Sequence, residues 1–347
     1  RTLDTAKVWH LAFILFGLMG FGFALLGILN AQWINKIPLL TPIINQLPNQ
    51  IIAVPGQPDA GIHPNQIAGT LLFYFPLVWA VWLGQQKQNG RWQKWLWLGL
   101  SLAGTGALIL TKSRSGWLGG AAAIYILIAL WAFALPNSSP RRHALFTLLG
   151  LLTLAGAAAL LAIGPDRLLA LWEEPAQETA VGSLTSLSFR QEVWRWSIVA
   201  IQDFPFTGVG LGSFRRVIRR LYPLAIDPGY NVVHPHNLFL HTAVDLGIPG
   251  LIVYLALVGL VLALGWQAAK RDVQIRPYAL GLIAGLFAFH IYGLGDVLAL
   301  GSKTGLAFWF LLGLITTLPQ LDGAPALDSA SRIPPVENRP RQLANQG

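Results

Sequence analysis

The stretch His234–Leu264, HPHNLFLHTAVDLGIPGLIVYLALVGLVLAL, joins two kinds of sequence without a linker. Its first half carries His234, His236, His241 and Asp245. Its second half is apolar from Ile248 onward, and about 20 such residues, each rising 1.5 Å, match a hydrocarbon core about 30 Å thick. Titratable chemistry is therefore delivered to the mouth of a membrane span.

The rest of the chain agrees with that reading. Of its 347 residues 54% are hydrophobic and only 11% charged, against about 25% charged in soluble domains. Mean hydropathy is +0.54. The fold class this predicts is an all-α polytopic membrane protein. The formal charge of +9 is not a nucleic-acid signal, because basic residues flank spans on the cytoplasmic side for topological reasons. The absence of cysteine excludes a disulfide framework, thiolate catalysis and Cys-ligated metals. No signal-peptide cleavage site is apparent, and Val8–Leu29 is too long for a signal h-region. The chain starts at Arg1 and enters that run almost at once, as expected of a fragment with further spans upstream.

Eight apolar runs read as spans: Val8–Leu29, Gln66–Gly84, Lys94–Leu110, Gly116–Leu135, Ala144–Ile163, Ile248–Gln267, Pro277–Leu294 and Gly305–Leu318. Interior glycines such as Gly17, Gly20, Gly22 and Gly27 suit close helix packing in lipid. If every run crosses, Lys87, Arg91, Arg141, Arg142, Lys270, Arg271 and Arg276 all fall on one side, with Arg1 and Lys7. The positive-inside rule makes that side cytoplasmic. The outer side then receives Asn30–Asn65, the turn Thr111–Ser115, the long loop 164–247 and Gly295–Thr304. A membrane domain over 1–318 is thus expected, with a polar, proline-rich, disordered cytoplasmic tail over 319–347.

Two outer segments carry arginines where that rule does not put them. In TKSRSG (111–116), Arg114 is confined to the interface by a short turn, where an unpartnered charge is costly. Arginine is the side chain suited to bidentate phosphate recognition, and the anion within reach is a lipid phosphate or diphosphate. In the long loop Arg215, Arg216, Arg219 and Arg220 are spaced to share one helical face. They read equally as a substrate-binding face or as a basic face resting on anionic headgroups of membrane lipids.

Four motifs resemble the O-antigen ligase and O-antigen polymerase superfamily of polytopic glycosyltransferases. His236-Asn237, nine residues, then Gly247-Ile-Pro-Gly250 is similar to the ligase-type His-Asn-x9-Gly-x-x-Gly pattern. TKSRSG resembles the family's Ser-Arg-Gly turn, with Ser115 interposed before Gly116. FRQEVWRWSIVAIQDFPFTGVGLGSF (189–214) resembles its Arg-x-x-x-Trp helix followed by Pro-x-x-Gly-x-Gly-x-Gly. HPNQIAG (63–69) is similar to the turn that opens an upstream span. Together these core motifs cover residues 63–250 in the family order.

The resemblance implies a membrane glycosyltransferase (GT-C-like) fold with one large periplasmic loop, in the inner membrane of a bacterium. The activity implied is metal- and cofactor-independent, inverting transfer of a glycan from an undecaprenyl-diphosphate carrier to a lipid or glycan acceptor hydroxyl. His236 would be the general base, and Arg114 and Arg190 would hold the diphosphate. The chain departs from the family in its short N-terminus.

Each residue also has a plainer reading. Imidazole, with an ordinary pKa near 6.5, suits general-base work at neutral pH, yet an interfacial histidine is often structural. His234 would assist His236 or merely neighbour it, while His241, off that face, packs. Asn237 after Pro235 reads as a helix cap. Asp245 is a partner for an imidazole or an arginine. Gly247–Gly250 breaks one helix and starts the next. Arg190 and Trp194 share a face and would otherwise stack. Gly208-Val-Gly-Leu-Gly212 lacks the strand and trailing acid of a dinucleotide loop. His63 and Asn65 line the outer mouth or cap a Pro64-started helix. A polymerase is the nearest alternative. An inorganic-carbon (bicarbonate) transporter-like protein is a further one, and it would need ionisable groups near the midplane. His290 is the mid-span candidate, with Asp296 and Lys303 at an outer end. A scaffold that kept the fold without activity is the last alternative.

Overall fold

A computed structural model describes residues 6–30, 42, 46, 64–84, 91–167, 187–226, 232–298, 300–301 and 305–318. His63, Lys303, most of the outer segment 30–65, residues 168–186 of the long loop and the tail 319–347 lie outside the described residues. Eleven helices account for nearly all of the described chain: α1 (Ala6–Asn30), α2 (Pro64–Leu71), α3 (Phe75–Gly84), α4 (Arg91–Leu110), α5 (Arg114–Ala134), α6 (Pro140–Ile163), α7 (Leu187–Asp203), α8 (Phe214–Leu221), α9 (Leu238–Arg271), α10 (Arg276–Tyr292) and α11 (Leu306–Thr317). The eight apolar runs are helical, Gln66–Gly84 in two pieces separated at Leu72–Tyr74. Among the described residues four helical stretches are long and apolar enough to cross a membrane: Asn65–Gly84, Arg114–Ala134, Pro140–Ile163 and Leu238–Arg271.

Helix α10 is the axis of the bundle. Leu280, Leu282, Ala284, Leu286, Ala288, Phe289 and Tyr292 on it are buried, and α3, α5, α9 and α11 pack around it. Close approach depends on glycine: a Cβ on Gly281 would fall 2.7 Å from the Leu77 Cα. In lipid, with no hydrophobic drive between helices, such backbone proximity is the source of packing energy. The α2–α3 run is broken at Leu72–Tyr74, where Phe73 N and Tyr74 N donate to Thr70 O and Leu71 O. Pro76 has no N–H for the Leu72 carbonyl, which ends the regular ladder there. Phe73 turns inward against Phe289, with ring centroids 4.8 Å apart. At the other extreme, only Leu149 of α6 is buried. That helix leaves its sides exposed, as suits one long and apolar enough to cross a membrane, and touches α5 through Tyr125 Oη and Thr153 Oγ1 at 3.0 Å.

The expected break at Gly247–Gly250 is present. Gly247 adopts φ 72°, ψ 179° inside α9, followed by Pro249. The released Ile248 N–H donates to Pro205 O at 2.7 Å, so the kink is stitched to the turn after α7. The first half of α9 then packs on α7 and α8 through a second core of Val193, Ala200, Phe214, Ile218, Tyr222, Val232 and Val244. Within it Tyr222 donates its hydroxyl to Asp203 at 2.8 Å. Burial and that acceptor push the phenol up to about 12. The Gly281→Leu variant is expected to part α10 from α3. Overpacking of this kind costs about 1–3 kcal/mol, which would appear as a lower melting temperature in detergent. An unchanged melting temperature would show that the two helices are not in close contact.

Candidate active site

The site forms where four helix ends meet: the starts of α2, α5 and α9 and the end of α10. Asn237 is the N-cap of α9, its Oδ1 accepting from Phe239 N and Leu240 N, both at 3.0 Å. The same side chain donates through Nδ2 to Leu294 O at 3.1 Å, and Leu238 N donates to Gly293 O at 2.7 Å. A cap that ordinarily satisfies only its own helix here also ties α9 to the segment following α10. His236, immediately before the cap, sits at φ 53°, a left-handed conformation uncommon outside glycine.

That backbone aims the imidazole at Asp296. His236 Nδ1 lies 3.2 Å from Asp296 Oδ1. The same carboxylate accepts from Val297 N at 2.8 Å and from Asn65 Nδ2, while Tyr292 donates its hydroxyl to Asn65 O at 2.8 Å. Burial alone would raise the Asp296 carboxyl. The His236 hydrogen bond and the electrostatic influence of His236, His234 and Arg190 outweigh it and hold the group well below the usual carboxylate range. With Nδ1–H given to Asp296, the basic nitrogen of the neutral ring is Nε2.

The neighbours of His236 come from both flanks. His236 N donates to His234 Nδ1 at 3.3 Å, and the two rings are 4.4 Å apart. Phe189 presents an edge at 5.7 Å. Arg190, next to it on α7, is buried, and its charge acts on Asp296. Trp194 donates its indole N–H to Pro235 O at 2.8 Å, fixing α7 against the histidine loop. On α5, Ser113 Oγ accepts from Gly116 N at 3.1 Å as the N-cap, and Arg114 is the first helical residue, half-buried. Lys112, just before the cap, is buried at φ 53°. The interposed Ser115 has a structural place: a Cβ on Gly295 would come 2.7 Å from its Oγ. The Arg114 turn therefore abuts the segment that carries Asp296.

The structure thus brings His234, His236, Asn237 and Arg190 together, with the helix start of Arg114 alongside. Arg215 and Arg216 are instead exposed on α8. Asp245 accepts from Gly212 N at 3.1 Å and lies 3.9 Å from His241 Nε2, so its imidazole partner is His241, not His236. Asp296 is the residue to which sequence reasoning gave no site role, placing it only at an outer span end; the available signal was a lone acid at the same end of a span as His236. His234, His236 and Asp296 also have ligand-type atoms within 4.8 Å of one another. Three N–H donors already converge on Asp296, however, and that is the coordination of a hydrogen-bonded imidazole–carboxylate pair.

A helical membrane protein with a His–Asp pair and arginines gathered at one end of its bundle is the class that fold and site define. Residues 96–255 match the family described as O-antigen ligase. This stretch runs from α4 through the kink of α9, and its match supports the O-antigen ligase and polymerase superfamily. No curated protein matches the chain.

Because the folded Asp296 carboxyl lies below its unfolded value of about 4, its stabilisation is complete above that value. It is lost as pH falls below about 4 toward the folded value. Detergent-solubilised protein is therefore expected to lose melting temperature on acidification below about pH 4. Asp296→Asn should melt lower at neutral pH and respond less steeply in the acid range. An unaltered slope in the variant would mean the carboxylate is not held this way.

Proposed function

We propose that the chain transfers a glycan from an undecaprenyl-diphosphate carrier to an acceptor hydroxyl, by a single inverting displacement, in the manner of an O-antigen ligase. The observation that carries this reading is the 3.2 Å contact between His236 Nδ1 and Asp296 Oδ1, made beside a buried arginine. His236 Nε2 takes the proton of the acceptor hydroxyl as its oxygen bonds to the anomeric carbon. The bond from that carbon to the phosphate oxygen breaks, and the diphosphate departs with the electron pair. Arg190 and Arg114 offset the charge that develops on it. Asp296 is a positioning residue, holding the ring in the tautomer that leaves Nε2 basic.

In this reading all eight apolar runs cross the inner membrane of a bacterium, and the His236 end faces the periplasm. A ligase is preferred over a polymerase on the His236-Asn237-x9-Gly247 pattern. Transport has less support. The mid-span candidate His290 is already satisfied, with Tyr254 Oη at 2.8 Å from Nε2 and Leu286 O at 2.7 Å from Nδ1. A satisfied neutral imidazole between helices is a packing element, not a relay.

The test is glycan transfer from undecaprenyl-diphosphate donor by the protein in liposomes. His236→Ala is expected to lower kcat by roughly 100-fold or more, the usual worth of a general base. Arg114→Ala and Arg190→Ala should each cost about 100-fold, as loss of a charge-stabilising donor does. Asp296→Asn should lower kcat while leaving KM nearly unchanged. Transfer that survives in His236→Ala would remove the base from His236. Solute uptake without transfer, in the same liposomes, would remove the enzyme reading altogether.

A further inference from the structure

Beside the site lies a surface to which the proposed transfer assigns no role. The turn between α7 and α8 carries Phe206 and Leu211, 79% and 76% exposed. Two large apolar side chains exposed on one short turn gain by entering an apolar environment. The turn is held at a fixed level. Val209 N donates to Val244 O at 2.7 Å, Gly210 N to Asp245 O at 3.2 Å, and Ile248 N to Pro205 O at 2.7 Å. Gly208 and Gly247 permit that approach, with φ of 64° and 72°, and a Cβ on Gly247 would fall 2.6 Å from Phe206 O. Phe206 therefore stands at the height where the apolar half of α9 begins. Ile252, one turn further along that half, is itself 60% exposed, as a lipid-facing side chain would be.

Four residues after Leu211, α8 begins its run of arginines. Phe214 and Ile218 are buried against α7, while Arg215, Arg216 and Arg220 are exposed. At 3.6 residues per turn, these three and Arg219 fill the face opposite Phe214 and Ile218. Apolar side chains at the level of a span's start, next to a face of guanidinium groups, are the two halves of an interfacial anchor. We infer that this turn and α8 dock on the lipid leaflet at the His236 end, with Phe206 and Leu211 inserted below the headgroups and the arginines gripping anionic lipid phosphates. The surface is independent of whether the site transfers glycans.

The native chain contains no cysteine, so single labels can be introduced without altering a background. Phe206→Cys and Leu211→Cys would be spin-labelled in the full chain and reconstituted in phosphatidylcholine vesicles containing phosphatidylglycerol. Collisions with oxygen are expected to exceed those with a water-soluble nickel chelate at both positions. In pure phosphatidylcholine, or with Arg215→Gln, Arg216→Gln and Arg220→Gln combined, the oxygen-to-nickel ratio should fall at least twofold. Labels as open to nickel as a free nitroxide in buffer would overturn the docking. Insertion that is indifferent to both phosphatidylglycerol and the triple substitution would overturn the assignment of anionic headgroups as the partner.

Discussion

One carboxylate holds the polar end of this molecule together. Asp296 joins the start of α2 through Asn65, the loop before α9 through His236, and its own segment through Val297 N. These elements are far apart in sequence, and each lies at the end of an apolar helix. A buried, ionised group is tolerable only when its oxygens are fully occupied. The helices around it must therefore converge at one angle and depth. Their burial against α10 supplies the hydrophobic side of that constraint, and the Asn237 cap shared with Leu294 supplies the rest.

Much of this was legible in the sequence, for identifiable reasons. The apolar runs were legible as helices because long apolar stretches in lipid leave the backbone little alternative. Gly247 and Pro249 broke α9 because a glycine needed at positive φ and a missing N–H act locally. Asn237 was readable as a cap for the same reason. The four arginines of α8 do share a face, since that follows from spacing alone.

What was not legible is what depends on the packing of distant ends. Nothing in GLGDV links Asp296 to His236 across 60 residues, so the sequence placed it only at an outer span end. Asp245 seemed the nearer partner, yet the left-handed turn at Gly208 and Gly210 brings the α7–α8 loop onto it instead. The break between α2 and α3 was likewise hidden within one continuous apolar run. Its cause, Pro76, is visible only once Leu72–Tyr74 is known to face α10.

The left-handed backbone of His236 also bears on how this position can change over generations. At φ 53° most side chains clash with their own backbone, and only glycine, asparagine, aspartate and histidine occupy the region with any frequency. Drift away from histidine is therefore channelled. Alanine, leucine or a β-branched residue would have to disturb the loop as well as remove the imidazole. Asparagine and glycine would keep the loop backbone and the Asn237 cap, while giving up the imidazole's bond to Asp296. Degenerate descendants of this chain would thus carry their loss of chemistry as His-to-Asn or His-to-Gly, inside an otherwise intact scaffold.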